Sequence, residues 1–182
     1  MKKLTNFLSS MLFPALIALV AFVAIASFTW KLAFVEPVPE YAAFDTNFYY
    51  STEAVQEKYA WYNETQRHLY VRNAFTFDLA FPVLYVFLLL TAMAFFIKRF
   101  KNSSKLPLLY CIPLLTGISD VAENSVVSWI MLTGVTPIKS VLASSFTLSK
   151  WILLYLSIGT IGMLFATYIY KTLRERIAGQ RH

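Results

Sequence analysis

Long apolar runs separated by polar segments dominate the pattern along this chain. Four of them approach or exceed the ~20 mostly apolar residues that a helix needs to cross a bilayer. The fourth is longer than a bilayer requires, so we expect it to tilt or to project beyond the outer surface. The pattern predicts an all-α integral membrane protein, a four-transmembrane-helix bundle forming one membrane domain over residues 1–182. The four runs cover about residues 7–30, 75–97, 106–132 and 141–170.

The first apolar run also has features of a cleaved signal peptide. Met1-Lys2-Lys3 precedes it, and Ala24-Ile25-Ala26 matches the small-residue pattern of a cleavage site. The run is long for a signal peptide, whose apolar part spans about 7–15 residues. We therefore favour a retained first helix, and cleavage within residues 1–26 is the alternative.

One long polar stretch, residues 31–74, separates the first two spans. Pro37 and Pro39 predict an extended start. Thr52 offers a helix N-cap and Glu53 a favourable charge in the first turn, so the stretch to about Val71 is predicted to be an amphipathic helix. Aromatic residues are frequent here, which favours an extracytoplasmic cap at the outer membrane interface. A lid over a substrate entrance is the alternative interpretation. The residues available for packing are Tyr59, Tyr62, Leu69 and Tyr70.

The charge distribution predicts the orientation in the membrane. The chain is 58% hydrophobic, 14% charged and carries a net charge of +6. Ten basic residues and one acid, Glu175, fall on one side of the predicted bundle. Because cytoplasmic loops are enriched in Lys and Arg, this side is predicted to be the cytoplasm, with both termini there and the chain in the cell (cytoplasmic or inner) membrane. The distribution of basic residues on the cytoplasmic side therefore accounts for the positive net charge, and no nucleic acid partner is expected. The ten basic residues are Lys2, Lys3, Lys98, Arg99, Lys101, Lys105, Lys171, Arg174, Arg176 and Arg181.

Several polar side chains fall inside the predicted spans, where an ionisable group costs at least about 2.5 kcal/mol. At about 100° per residue, Asp120, Glu123 and Asn124 share one stripe of the third span. Asp78 and Tyr85 share a face of the second span by the same rule. This grouping predicts a common polar site in the bundle.

Helix geometry also predicts the depth of these residues. The third and fourth spans are joined by a tight outer turn at about residues 133–138. In an antiparallel hairpin about this turn, Lys150 is level with about residue 122, between Asp120 and Glu123. Tyr85 reaches a similar depth, and Asp78 is closer to the outer surface. We therefore expect three acids, one lysine, an amide and a phenol in the outer half of the bundle.

Three functional hypotheses follow. The leading one is a binding or transport-related protein whose outward-opening site takes a cation, a proton or a cationic or amphipathic small molecule. Its basis is that one lysine neutralises only one of three acids. Asp78 would recruit the ligand, Asp120 and Glu123 would bind it, Lys150 would be the counter-charge, and Asn124 and Tyr85 would orient it.

The second hypothesis is an enzyme acting on outer-leaflet lipid, with Glu123 or Asp120 as general acid or base tuned by Lys150. The third is a structural or assembly subunit in which the ion pairs only hold helices together, so that joint apolar replacement of Lys150 and its partner would be tolerated.

No metal site is predicted, and the sequence names no cofactor. The sequence has no phosphate-cradling glycine loop, no HExxH and no GxSxG, and it contains two histidines. A carboxylate site for Ca²⁺ or a proton stays open. The single cysteine, Cys111, cannot form an intrachain disulfide. No internal repeat is present, so a transporter of the inverted-repeat type would require a homo-oligomer. The expected partners are the lipid bilayer and a small cation or lipid-like ligand.

The polar motifs resemble those of a group of small bacterial four-helix membrane proteins without an assigned activity. The resemblance is carried by Asp78-x-x-x-Pro82-x-x-Tyr85, by Asp120-x-x-Glu123-Asn124 and by Lys150 before Trp151. It covers spans two to four and excludes the outer loop. It implies a bacterial four-helix protein with these residues as its signature, and it implies no substrate.

Overall fold

The computed structural model describes residues 2–33, 44, 47–100 and 106–179, and within these ranges the chain is helical with no strand. The predicted all-α class is therefore confirmed. Pro37, Pro39, Lys101, Lys105 and Arg181 lie outside the described residues. The helices are α1 (Lys2–Ser10), α2 (Leu12–Ala33), α3 (Thr52–Ala60), α4 (Glu64–Ala74), α5 (Phe77–Ile97), a 3₁₀ turn (Leu106–Tyr110), α6 (Cys111–Thr133) and α7 (Pro137–Gly179).

Three helical stretches are long and apolar enough to cross a membrane, and a bent pair makes a fourth if it counts as one span. The bent pair replaces the single helix predicted over residues 7–30. The three stretches are Glu64–Ile97, Leu106–Thr133 and Pro137–Ile177.

The bend lies between α1 and α2, whose axes meet at 51°. Pro14 provides the physical reason. It has no N–H to donate to the Ser10 carbonyl, and its ring crowds that carbonyl, which favours a bend at this point. The Ser10 hydroxyl donates to the Phe7 carbonyl at 2.7 Å, within the last turn of α1. The first apolar run therefore begins with a short helix at an angle to α2.

Two buried clusters hold opposite ends of the bundle. One of them, here called the lower cluster, joins α1, the end of α5, the 3₁₀ turn and the second half of α7. The other, the upper cluster, joins the cap, which is the segment with α3 and α4, to the end of α6 and the start of α7. Successive long helices therefore run antiparallel, and the basic ends of α1, α5 and α7 meet at the lower cluster. The lower cluster contains Leu8, Met93, Ala94, Ile97, Tyr110 and Leu164. The upper cluster contains Phe44, Tyr50, Val55, Tyr62, Val127, Ile130, Met131 and Ala143.

The cap contains two short helices, α3 and α4, where one helix to about Val71 was predicted. Ser51, one residue before the predicted Thr52, is the N-cap of α3 and accepts from the Ala54 amide at 3.3 Å. Asn63 is the N-cap of α4. Its side-chain oxygen accepts a hydrogen bond from the backbone N–H of Gln66, and the Gln66 side-chain oxygen accepts one from the backbone N–H of Asn63, both at 2.9 Å. These two N-caps explain why the helix is divided.

The cap also shows the predicted aromatic packing. Tyr62 is buried in the upper cluster, Tyr59 and Tyr70 pack against it, and Leu69 is half-buried. At the start of α3, a hydrogen bond from the Ser51 hydroxyl lowers the pKa of exposed Glu53 below its ordinary value. The ionised Glu53 therefore stabilises the cap. This stabilisation is complete above the ordinary pKa of a glutamate and is lost as the pH falls through the lowered pKa of Glu53.

A three-residue turn connects α6 to α7. Gly134 ends α6 with a φ of 81°, a conformation that favours glycine. The Lys139 ammonium donates to the Gly134 carbonyl at 2.8 Å and to the Thr133 hydroxyl at 2.7 Å, so it stabilises the carboxyl end of α6. This turn confirms the predicted hairpin.

Helix α7 has 43 residues and is therefore ~64 Å long, against ~30 Å for a bilayer core. The structure thus agrees with the prediction that this helix is longer than a bilayer requires. The helix begins at Pro137, close to the predicted Val141, and continues past Tyr170 to Gly179. Most of the extension is at the basic end, where Lys171, Arg174 and Arg176 favour exposure to water.

Helices α5 and α6 approach closely at Gly117. A Cβ atom at this position would lie 2.7 Å from Cγ2 of Val86, well inside van der Waals contact. A side chain at Gly159 of α7, in contrast, would meet no atom within 4 Å. Glycine at position 117 thus sets the distance between two helices that carry the polar site.

Candidate functional site

The carboxylates of α6 lie on its buried face. Thr116, Asp120, Glu123 and Val127 follow the i, i+3, i+4 spacing of one helical stripe, and all four are buried. Glu123 is 1% exposed and Asp120 is 7% exposed. The predicted stripe is therefore present, and both acids lie where a charge requires partners.

Lys150 of α7 contacts both acids. Its Nζ lies 2.5 Å from Oε2 of Glu123 and 3.5 Å from Oδ1 of Asp120. The residue itself is buried. The depth predicted from the hairpin is confirmed, since Lys150 sits at the level of residues 120–123.

Tyr85 brings α5 into the same network. Its hydroxyl donates to Oδ2 of Asp120 at 2.8 Å. The two oxygens of Asp120 thus face different helices, Oδ1 toward Lys150 on α7 and Oδ2 toward Tyr85 on α5. Because a hydrogen bond to a carboxylate is stronger than one between neutral groups, this arrangement fixes the Asp120 side chain in one orientation.

A hydrogen-bond chain connects this network to the cap. The Thr147 hydroxyl donates to Oε1 of Glu123 at 2.8 Å, and its oxygen lies 3.0 Å from the Tyr50 hydroxyl. The same hydroxyl also lies 2.9 Å from the Ala143 carbonyl. Since its single hydrogen has these two acceptors, Tyr50 is the donor to Thr147. The Tyr50 amide also donates to Oγ of Ser144 at 3.0 Å. The cap is therefore bonded to α7 one step from the ion pair.

Sequence reasoning missed these cap contacts. Helical spacing does predict that Thr147 shares a face with Lys150, three residues further on, so its contact with Glu123 agrees with the sequence. Tyr50 lies in an irregular segment without periodicity, and no pattern of residues indicates where such a side chain reaches.

A cavity of about 440 Å³ adjoins the network, between α5, α6, α7 and the cap. Its volume falls in the range of small-molecule sites, roughly 300–1,000 Å³. The six predicted site residues all line it, together with aromatic and apolar side chains that were not predicted as site residues. The lining residues are Tyr62, Tyr70, Asp78, Phe81, Tyr85, Asp120, Glu123, Asn124, Lys150, Trp151 and Leu154.

Asp78 and Asn124 thus belong to the cavity, although their side chains are less buried than those of Asp120 and Glu123. Asp78 lies in the first turn of α5, at the cap end of the helix. A carboxylate there also interacts favourably with the helix dipole. This position agrees with the prediction that Asp78 is the outermost of the acids.

Two walls of the cavity are held by ring packing. Trp151 stacks on Tyr155 with ring centroids 5.9 Å apart and contacts Phe48 of the segment before α3 at 5.4 Å. On the α5 side, Phe81 packs edge-on against Tyr85 at 5.3 Å and lies 6.3 Å from Phe22 of α2. Helix α2 therefore supports the cavity indirectly, through Phe81.

The described part of the chain contains no group of three or more His, Cys, Asp or Glu side chains arranged to hold a metal ion. Cys111 is exposed at the start of α6, away from the cavity.

No family model matches this chain, and no curated protein or solved structure is similar to it. The resemblance to small bacterial four-helix membrane proteins therefore depends on the quoted motifs alone.

Proposed function

We propose that this chain is a four-span protein of the cell membrane whose intramembrane carboxylate–lysine site binds a cationic ligand, in a binding or transport role. The ligand class comprises a cation, a proton and a cationic or amphipathic small molecule. The observation that carries the proposal is the cavity of about 440 Å³ beside the network of Lys150, Asp120 and Glu123.

The charges of the lining favour a cation. Among the described residues that line this cavity, three carboxylates outnumber one ammonium. In a medium of low dielectric constant, such an excess attracts a positive ligand far more strongly than in water. Intramembrane ionisable residues generally mark ligand or ion pathways, which supports a functional role for this site.

The geometry supports a division of roles. Glu123 is almost fully buried and is engaged by Lys150 and Thr147, so it holds the lysine in place. Asp120 is oriented by Tyr85 and retains slight exposure, and Asp78 lies toward the cap. In the proposed mechanism Asp78 attracts the ligand, Asp120 contacts it, and Asn124 supplies a neutral polar contact.

The site would open toward the outer side. Cap residues Tyr62 and Tyr70 line the cavity, whereas the basic helix ends lie at the opposite end of the bundle. Because basic residues favour the cytoplasmic side, the cap and the cavity are assigned to the outer half and both termini to the cytoplasm.

The test is the thermal stability of detergent-purified protein over a range of pH and with a panel of cations and lipids. A ligand that binds only the folded state raises the free energy of unfolding by about 2.7 kcal/mol at 100 times its Kd. We expect a ligand-specific stabilisation in the wild type that Glu123→Gln loses, because the neutral amide no longer holds Lys150. Glu57→Gln, on the exposed face of α3, is the matched control and should respond like the wild type.

An unchanged ligand response in Glu123→Gln would contradict the assignment. The 2.5 Å contact between Lys150 and Glu123 also favours the structural alternative, in which the pair only joins α6 to α7. That alternative predicts a large loss of stability in Glu123→Gln with no ligand response in the wild type. The enzyme acting on outer-leaflet lipid and the homo-oligomer stay predictions.

A further inference from the structure

We infer that the ligand of this site is an organic ammonium compound with an apolar body, in preference to an inorganic ion or a proton. The inference rests on the proposed function and narrows its ligand class. It is carried by the aromatic lining, by the way Lys150 occupies the carboxylates and by the size of the cavity.

Aromatic rings form much of the lining. Tyr62 and Tyr70 come from the cap, Phe81 and Tyr85 from α5, and Trp151 from α7. The electron-rich face of such a ring attracts a cation, and cages of aromatic rings recognise substituted ammonium groups in particular. A small inorganic ion keeps its preference for oxygen ligands, and ring carbons cannot replace its hydration shell.

The carboxylates are arranged unfavourably for a bare metal ion. Lys150 is in contact with both Asp120 and Glu123, so a metal ion would have to displace the ammonium to be coordinated by them. The described residues also offer no group of three or more metal-binding side chains. A substituted ammonium needs no direct coordination, because the negative potential of the lining and the ring faces stabilise it at longer range.

The size of the cavity agrees with a molecule of several carbon atoms. A proton or a single ion would leave most of the space of about 440 Å³ to water against aromatic walls, which is unfavourable. An apolar body fills this space and removes the walls from water. The expected ligand therefore places its ammonium among Asp78, Asp120 and Tyr85 and its apolar body between Phe81 and Trp151.

The experiment compares two probes of one shape and different charge. Benzyltrimethylammonium is titrated calorimetrically into the full chain in dodecyl maltoside, beside neopentylbenzene, its neutral isostere, and beside sodium and calcium chloride. We expect the cation to bind at least tenfold more tightly than the isostere, with no comparable effect of either salt.

Variants locate the binding. Asp78→Asn and Trp151→Leu should each lower the affinity for benzyltrimethylammonium by tenfold or more. Tyr170→Leu should leave this affinity unchanged, because Tyr170 is an exposed aromatic residue of α7 outside the cavity. Phe81→Leu, at a residue 40% exposed, replaces Trp151→Leu if that variant fails to fold.

The outcomes separate this inference from the proposed function. Equal affinity for the cation and the isostere would overturn the inference, since charge would not be recognised. Stabilisation by sodium, calcium or protons that Glu123→Gln loses, without binding of benzyltrimethylammonium, would overturn the inference and leave the proposed function standing. No response to any cation would overturn both.

Discussion

Gly117 is the residue on which the distance between α5 and α6 depends. In Gly117→Ala, the new methyl group would lie 2.7 Å from Cγ2 of Val86, a β-branched side chain with little rotational freedom. Overpacking of this kind costs about 1–3 kcal/mol, which exceeds the ~0.5–1 kcal/mol that alanine gains over glycine inside a helix. We expect a lower free energy of unfolding, measured by titration of the folded protein with dodecyl sulfate.

Gly159 provides the matched control for this prediction. It also lies inside a long helix, but nothing is within 4 Å of its added Cβ. Gly159→Ala should therefore leave the unfolding midpoint unchanged or raise it slightly. Equal midpoints for the two variants would show that the α5–α6 contact tolerates a methyl group.

The positions of single side chains were predictable where helix geometry alone determines them. Lys150 meets Asp120 and Glu123 because a short turn and a fixed rise per residue determine the depth of each side chain in a hairpin. The contact of Tyr85 with Asp120 follows from depth in the same way. The reach of Tyr50 to Thr147 was not predictable, because the backbone before α3 is irregular and has no repeat from which a direction can be read.

At the scale of elements, the sequence held signals for both departures from the predicted helices. Pro14 lies four residues after Ser10, the point at which α1 ends, as the missing N–H requires. Asn63 and Gln66 have the spacing of a capping box, which explains the new start at α4. In both cases an apolar or amphipathic pattern ran across the break, so periodicity alone gave one helix where the chain has two.

The Tyr50 hydroxyl is one of the contacts that attach the cap to α7, beside the upper cluster and the packing of Phe48 on Trp151. Tyr50→Phe keeps the ring, which packs edge-on against Phe44 at 5.8 Å, and removes only the hydroxyl that bonds Thr147. Loss of one hydrogen bond of about 0.5–1.5 kcal/mol should raise the population of the detached cap roughly two- to tenfold. We expect trypsin to cleave the variant faster at Arg67 or Arg72, identified by the masses of the fragments.

Tyr49→Phe is the control for the cap experiment, because Tyr49 is adjacent in sequence and 63% exposed. It should be cleaved at the rate of the wild type. If Tyr50→Phe is no more sensitive than Tyr49→Phe, the hydrogen bond to Thr147 does not hold the cap on the bundle.

At the scale of the whole molecule, the antiparallel order of the helices makes the proposed topology testable from two positions on α7. Ile138 is 73% exposed beside the outer turn, and Glu175 is exposed near the basic end. In a Cys111→Ser background, a membrane-impermeant maleimide should label Ile138→Cys in intact cells. It should label Glu175→Cys only after permeabilisation.

Labelling of Glu175→Cys in intact cells would reverse the proposed orientation. Labelling of both positions in intact cells would show that α7 does not cross the membrane. The helical content and the antiparallel order would be unaffected by either result, since they follow from packing within the chain.

The three-residue turn between α6 and α7 has a consequence for how the protein is made. In the proposed topology, Asp120 and Glu123 leave the ribosome before Lys150 does, and each acid adds at least about 2.5 kcal/mol to the cost of inserting α6 by itself. The turn allows α7 to fold back on α6 at once, so that the lysine enters the lipid together with the acids. Helices α6 and α7 would thus insert into the membrane together as one hairpin. The third span would become a stable membrane segment only after the fourth has been synthesised.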